Sequence, residues 1–267
     1  MSSKKTNRES LEQSVHLLET TRTRELQLAR SARSSQIGVV TGAHDRVQEL
    51  LDAAEIPYTL CGSFSEALEK SPTTVFLNCG GEHPNPICVQ EYVKNGNRIV
   101  STDWALDVVI ETFPGYVVKG SVSVPESTFA MQPVGSLGER LLGSSVVKRN
   151  PHWWFEGASY TVFDAKKQGH PIIPLLASEV FAKKYDTNLV AFGIQHGKGE
   201  VVHFCSHLYA QKIAKKEGVA TDYTALHAVL MLCGRAPVLW DPASGDPLKS
   251  VTTYTSSTSS KKSAGLL

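Results

Sequence analysis

The chain lacks most of the signatures that assign a protein quickly. No stretch of its 267 residues approaches the ~18 consecutive apolar residues of a membrane span. The start, MSSKKTNRESLEQS, carries positive charge with no apolar run behind it, so it does not read as a secretory signal. A cytosolic, cytoplasmic protein is expected. Five cysteines (Cys61, Cys79, Cys88, Cys205, Cys233) stand at irregular spacings with no CxxC pair, which argues against a disulfide framework or a structural zinc site. GxxxxGK[ST], GxGxxG, GxSxG, HExxH and EF-hand patterns are all missing, so no nucleotide-phosphate cradle and no cofactor are indicated. Net charge is only +1, and Lys and Arg are not interleaved with aromatics, so nucleic-acid binding is not expected.

What is present is ordinary globular material, 41% hydrophobic and 20% charged, enough for a sizeable core. Residues 1–35 carry a surplus of +3 and the rest of the chain is slightly acidic. Residues 8–33 contain no Gly or Pro, and Leu11, Val15 and Leu18 recur at helical spacing. They predict an N-terminal helical arm over 1–35, lying against the body or serving a protein partner or self-association. At the other end, ten of the fourteen residues 250–263 are Ser or Thr. Such a segment buries too little apolar surface to offset its ordering entropy, so 246–267 is expected to be a disordered tail.

Between them, over 36–245, apolar runs alternate with helical segments. Strands are expected at 36–42, 58–61, 73–79 and 98–102, with helices at 44–55, 64–70, 87–95 and 104–112. Unbroken Val/Ile/Leu runs separated by helices imply strands buried on both faces, hence a mainly parallel sheet with helices on each side. The second half reads differently, with strand patterns at 118–127, 153–163, 172–179, 188–195 and 200–207, and a hairpin turn at His196-Gly197-Lys198-Gly199. An antiparallel insertion into the same α/β fold is expected, followed by a helix over 222–232.

Ligands of open α/β sheets bind beyond the carboxyl ends of the strands. Those ends carry Gly42-Ala43-His44, Asn78-Cys79-Gly80-Gly81-Glu82-His83, Thr102-Asp103-Trp104 and Cys205-Ser206-His207. The order VFLNCGG (75–81), a helix, NRIVSTDWALDVV (97–109) and then GKGEVVHFCSH (197–207) resembles the class I glutamine amidotransferase-like superfamily. ThuA-like domains are the nearest group by the Gly-Lys-Gly hairpin and the strand ending in His. The resemblance implies a flavodoxin-like three-layer fold. It also matches Asp103 to the nucleophilic Cys and His207 to its His. The acid expected two positions after that His is missing, because residue 209 is Tyr. A carboxylate is a far poorer nucleophile than a thiolate toward an amide, so glutamine hydrolysis is not expected.

Each candidate also has a purely structural explanation. Cys79 at the Gly80-Gly81 loop reads as a small buried thiol or a reactive one. Asp103 reads as a helix cap, worth on the order of 1 kcal/mol, or as a ligand-facing carboxylate beside the Trp104 platform. His203, Cys205 and His207 alternate along one strand, but one strand is too rigid a row for tetrahedral coordination, so no metal is expected. The adjacent Trp153 and Trp154 read as core packing or, since neighbours on a strand face opposite ways, as one core ring and one exposed ring near Glu156 suited to sugar or protein contacts. The leading expectation is a non-catalytic binding or scaffold module. Its ligand or partner would sit on the rim formed by Asn78, Cys79, Gly80, Gly81, Glu82, His83, Asp103, Trp104 and His207. The alternative is a hydrolase or isomerase using Asp103 and His207 as an acid–base pair on a sugar-like or carboxylate ligand.

Overall fold

A computed structural model of the chain describes residues 2–148, 151–208, 218–234 and 239. The expected tail 246–267 and the domain boundary at 245 lie outside the described residues. The chain opens with α1 (Ser2–Thr21) and α2 (Thr23–Arg30), so the single expected helix breaks at Arg22. Alternating elements follow: β1 (Ile37–Val40), α3 (Val47–Ala53), β2 (Thr59–Cys61), α4 (Phe64–Glu69), β3 (Thr74–Leu77), α5 (Pro86–Lys94), β4 (Arg98–Thr102) and α6 (Leu106–Thr112). Every residue of β1, β3 and β4 is buried, as strands covered on both faces must be.

The irregular middle holds more order than its Gly and Pro content predicts. It contains β5 (Val117–Val124), β6 (Ser127–Ala130), β7 (Gln132–Pro133), α7 (Gly135–Val147), β8 (His152–Phe155) and β9 (Ser159–Asp164). The run 153–163 is therefore two strands, split by a turn in which Gly157 and Ala158 both have positive φ. Next come β10 (Ile173–Ala177), α8 (Glu179–Tyr185), β11 (Leu189–His196), β12 (Gly199–Phe204) and α9 (Gly218–Cys233). The expected strand 172–179 stops at Ala177 because the Ser178 hydroxyl accepts from Phe181 N–H and starts α8.

Eight strands form one sheet in the order β2-β1-β3-β4-β12-β11-β10-β7. The pairs from β2 to β12 are parallel, and β11, β10 and β7 add antiparallel pairs. Two separate ribbons, β5–β9 and β6–β8, make up the rest of the insertion. This is a mixed α/β fold with a large, mostly parallel central sheet. Residues Arg98–Thr102 lie in its middle, parallel to β3 on one side and β12 on the other.

The arm is docked on this body. Ser10 Oγ donates to Asp222 at 2.6 Å, Thr21 and Tyr223 share a 2.6 Å hydrogen bond, and Leu18 and Leu26 are buried. Leu18 is fully buried, and Leu11 and Val15 are partly buried against the core. At the break, Arg22 Nε donates to His227 Nε2 at 3.0 Å. Both approach Gly143, the kink in α7, where φ is +71° and a Cβ would stand 2.2 Å from the guanidinium. Among the described residues, no helix is long and apolar enough to cross a membrane.

Candidate functional site

The carboxyl ends of four neighbouring parallel strands converge on one buried cluster. β4 ends at Thr102, and Asp103 turns the chain at φ +44° into a short 3-10 helix, Asp103–Ala105, ahead of α6. Positive φ is unusual for a residue with a Cβ, and the sharp turn aims the carboxylate back over the sheet. His207 follows β12, Cys79 follows β3, and Asp45 follows β1. Asp103 Oδ2 lies 3.2 Å from His207 Nε2 and accepts from Cys79 Sγ at 3.9 Å. Glu156, from the turn between β8 and β9, brings Oε2 to 2.9 Å from His207 Nδ1. Glu156 thus brings a carboxylate to His207 from a distant part of the chain.

The cluster is closed. Asp103 is 2% exposed and His207 6%, and Cys79 is buried as well. Burial works against charge on the His207 ring, but contacts with Asp103, Cys79 and Asp45 outweigh it and push its pKa up to about 10. These contacts favour the charged form of the ring. Burial raises Asp45 above the ordinary carboxyl range, against the pull of His207, Thr102 and the Arg46 and Leu208 amides. Burial raises the Cys79 thiol too, and Asp103 adds to the rise.

Above the cluster lies an aromatic rim. Trp104 is 38% exposed, and its indole N–H donates to the Ala158 carbonyl at 2.9 Å. Its ring lies near-parallel to Tyr160 at 6.2 Å and edge-on to the exposed His44 at 5.2 Å. This single hydrogen bond ties the elbow after β4 to the turn that carries Glu156.

Of the nine rim residues expected from sequence, Cys79, Asp103, Trp104 and His207 come together. The others have local duties. Asn78 Oδ1 accepts from Val47 N–H and its Nδ2 donates to Gln48, so it caps α3. That cap, with Asp45 holding Arg46 N–H, is why α3 starts at Val47 rather than at His44. Gly80 and Gly81 interlock with Gly42-Ala43-His44, and a Cβ on Gly42 would meet the Cys79 carbonyl at 2.3 Å. Glu82 accepts from Phe64 N–H at the start of α4. His83 sits on the surface, 2.8 Å from Glu111.

The row along β12 separates as well. His203 Nδ1 meets Ser101 Oγ at 2.9 Å, and burial drives its pKa down to about 3. Cys205 Sγ donates to the Leu189 carbonyl, and burial pushes that thiol up. Trp153 and Trp154 are both buried, in line with the core-packing reading and against the exposed alternative. Trp153 stacks on Phe204, and the Trp154 carbonyl accepts from Ser206 Oγ.

No protein-family model matches the chain, and no curated protein matches it significantly in sequence. Solved structures similar in fold include a beta-galactosidase from Rahnella sp., at TM-score 0.50 and 11% identity, covering 74% of this chain and 31% of that one. A glutamine amidotransferase from Thermotoga maritima matches at TM-score 0.48 and 9% identity over 76% of this chain and 97% of that one. A ThuA-like protein from Parabacteroides merdae matches at TM-score 0.42 and 12% identity, covering 72% and 86%. At these identities the likeness is one of fold.

Proposed function

We propose that the protein is a non-catalytic, amidotransferase-like binding module that engages a small ligand or protein partner at the rim of Trp104, His44 and Tyr160. In this reading Asp103 occupies the strand-end elbow where related enzymes carry a thiol. The observation that carries it is the burial of Asp103 and His207 beneath the Trp104–Ala158 bridge. A reaction needs substrate against its reacting atoms, and these are shut away. The contacts that favour a charged His207 ring also work against its serving as a base to activate a nucleophile.

The test is turnover. Purified full-length chain is offered glutamine and p-nitrophenyl acetate, and the rates are compared with those of Asp103→Asn and Cys79→Ser. Equal background rates are expected. Turnover that either substitution abolishes would overturn the reading. Binding is read separately by tryptophan fluorescence against a panel of sugars and carboxylates, where Trp104→Phe should lose any response.

One observation favours a second reading, a hydrolase or isomerase. Asp103 and His207 are 3.2 Å apart with Glu156 behind the imidazole, which is acid–base geometry. His207 would act as the acid and Asp103 as the base. Activity toward a sugar-like or carboxylate substrate that vanishes in both Asp103→Asn and His207→Gln would select it.

A further inference from the structure

We propose that Cys79, Asp103 and His207 form a binding site for one divalent transition-metal ion of borderline softness, Zn2+ foremost. Three different donors, a thiol sulfur, a carboxylate oxygen and an imidazole nitrogen, lie within 4.8 Å of one another, all buried. A tetrahedral ion with bonds of ~2.0–2.3 Å sets its ligands ~3.3–3.6 Å apart. The Nε2–Oδ2 separation is 3.2 Å and the Sγ–Oδ2 separation 3.9 Å, so these two pairs reach coordination spacing with movements of a few tenths of an ångström. Mixed sulfur, nitrogen and oxygen donors suit Zn2+ better than the oxygen-seeking Mg2+ or Ca2+.

Two further observations point the same way. Asp103 Oδ1 is buried and has no hydrogen-bond partner among the described residues, an uncommon cost that coordination would remove. Glu156 stands at Nδ1 of His207, on the far side of the ring from Asp103. A carboxylate behind a histidine is the arrangement that orients a metal-binding imidazole and raises its basicity. Ligands come from three separate strand ends, which avoids the single-strand row that argued against a metal. The Cys79 thiol proton and the proton on His207 Nε2 both leave as the ion binds, so binding releases up to two protons to solvent, and the remaining coordination position falls to Asp103 Oδ1 or a water. This inference goes beyond the rim reading and does not require it.

Co2+ titration of the chelator-stripped full-length chain tests the site. One equivalent per chain is expected, with a thiolate-to-cobalt absorption band that added Zn2+ displaces. Cys79→Ser should abolish the band and weaken Zn2+ binding at least about tenfold, and Asp103→Asn should weaken it comparably. Glu156→Gln, a positioning residue, should weaken binding about 10- to 100-fold while keeping the band. Cys88→Ser, which removes an exposed thiol, should change neither. Binding that is absent in the wild type, or unchanged in Cys79→Ser, overturns the proposal. Should Cys79→Ser fail to fold, unchanged affinity in Glu156→Gln overturns it equally. A rim that binds no ligand leaves these readouts intact, so the two readings fail separately.

Discussion

Mild acid should weaken the hold of the N-terminal helices, and the structure fixes how much. His227 is fully buried on α9. Its Nδ1 donates to the Leu141 carbonyl at 3.0 Å and its Nε2 accepts from Arg22 Nε at 3.0 Å, so the ring is held as one neutral tautomer. Burial is the main force lowering its pKa. Arg22 adds to that, while the Leu141 carbonyl and Glu25 oppose it, and the result is about 4. In the unfolded chain the value is the ordinary ~6.5. The folded value is the lower one, so protons favour the unfolded state. The stabilisation is complete above ~6.5 and is lost as pH falls toward the folded value. Between pH 7.5 and 4.5 the loss comes to about 2.5 kcal/mol. His203, with its pKa near 3, adds a term of the same sign, so the assay must isolate His227. His227→Gln keeps an acceptor for Arg22 and a donor for Leu141 and cannot titrate. Urea unfolding of both proteins at pH 7.5, 6.0, 5.0 and 4.5 should show the wild type losing about 2.5 kcal/mol more than the variant. Parallel pH profiles, or a wild type that gains stability in acid, would refute the reasoning.

Three more outcomes follow from the packing. Gly42→Ala places a methyl against the Cys79 carbonyl and should cost about 2 kcal/mol, read as a lowered thermal midpoint. Arg98→Met removes the buried cation that pairs with Glu200 and donates to the Leu232 and Gly234 carbonyls. It should cost about 3–5 kcal/mol in urea unfolding. Glu200→Gln sets an amide NH2 against one of the two donors, Arg98 and Leu239 N–H, and removes the counter-charge beside the Arg98 cation, so its cost should also be about 3–5 kcal/mol. Removing residues 2–30 uncovers the face of α9 that Leu18 and Leu26 cover, so the truncated chain should unfold at markedly lower urea; a midpoint equal to that of the full chain would contradict the docking.

The parallel half of the fold is legible because burial on both faces forces continuous apolar runs, and β1, β3 and β4 show them. The same runs locate the strand ends, and with them Asp103, Cys79 and His207. What escapes the sequence is whatever depends on distant packing. Glu156 comes from an insertion whose spacing carries no mark of its partner, 51 positions along the chain at His207. Asn78 and Glu82 sit where a ligand loop is expected, but nearby helix starts have unsatisfied N–H groups, and these capture both side chains. α7 is hidden by its glycines, since Gly143 is kept for the close approach of Arg22 and His227 rather than to end a helix.

The turn carrying Glu156 joins β8 of one ribbon to β9 of the other. The carboxylate beside His207 is therefore placed by the relative setting of the two ribbons, not by either one alone. The interior charges and the two outer ribbons thus meet at one contact.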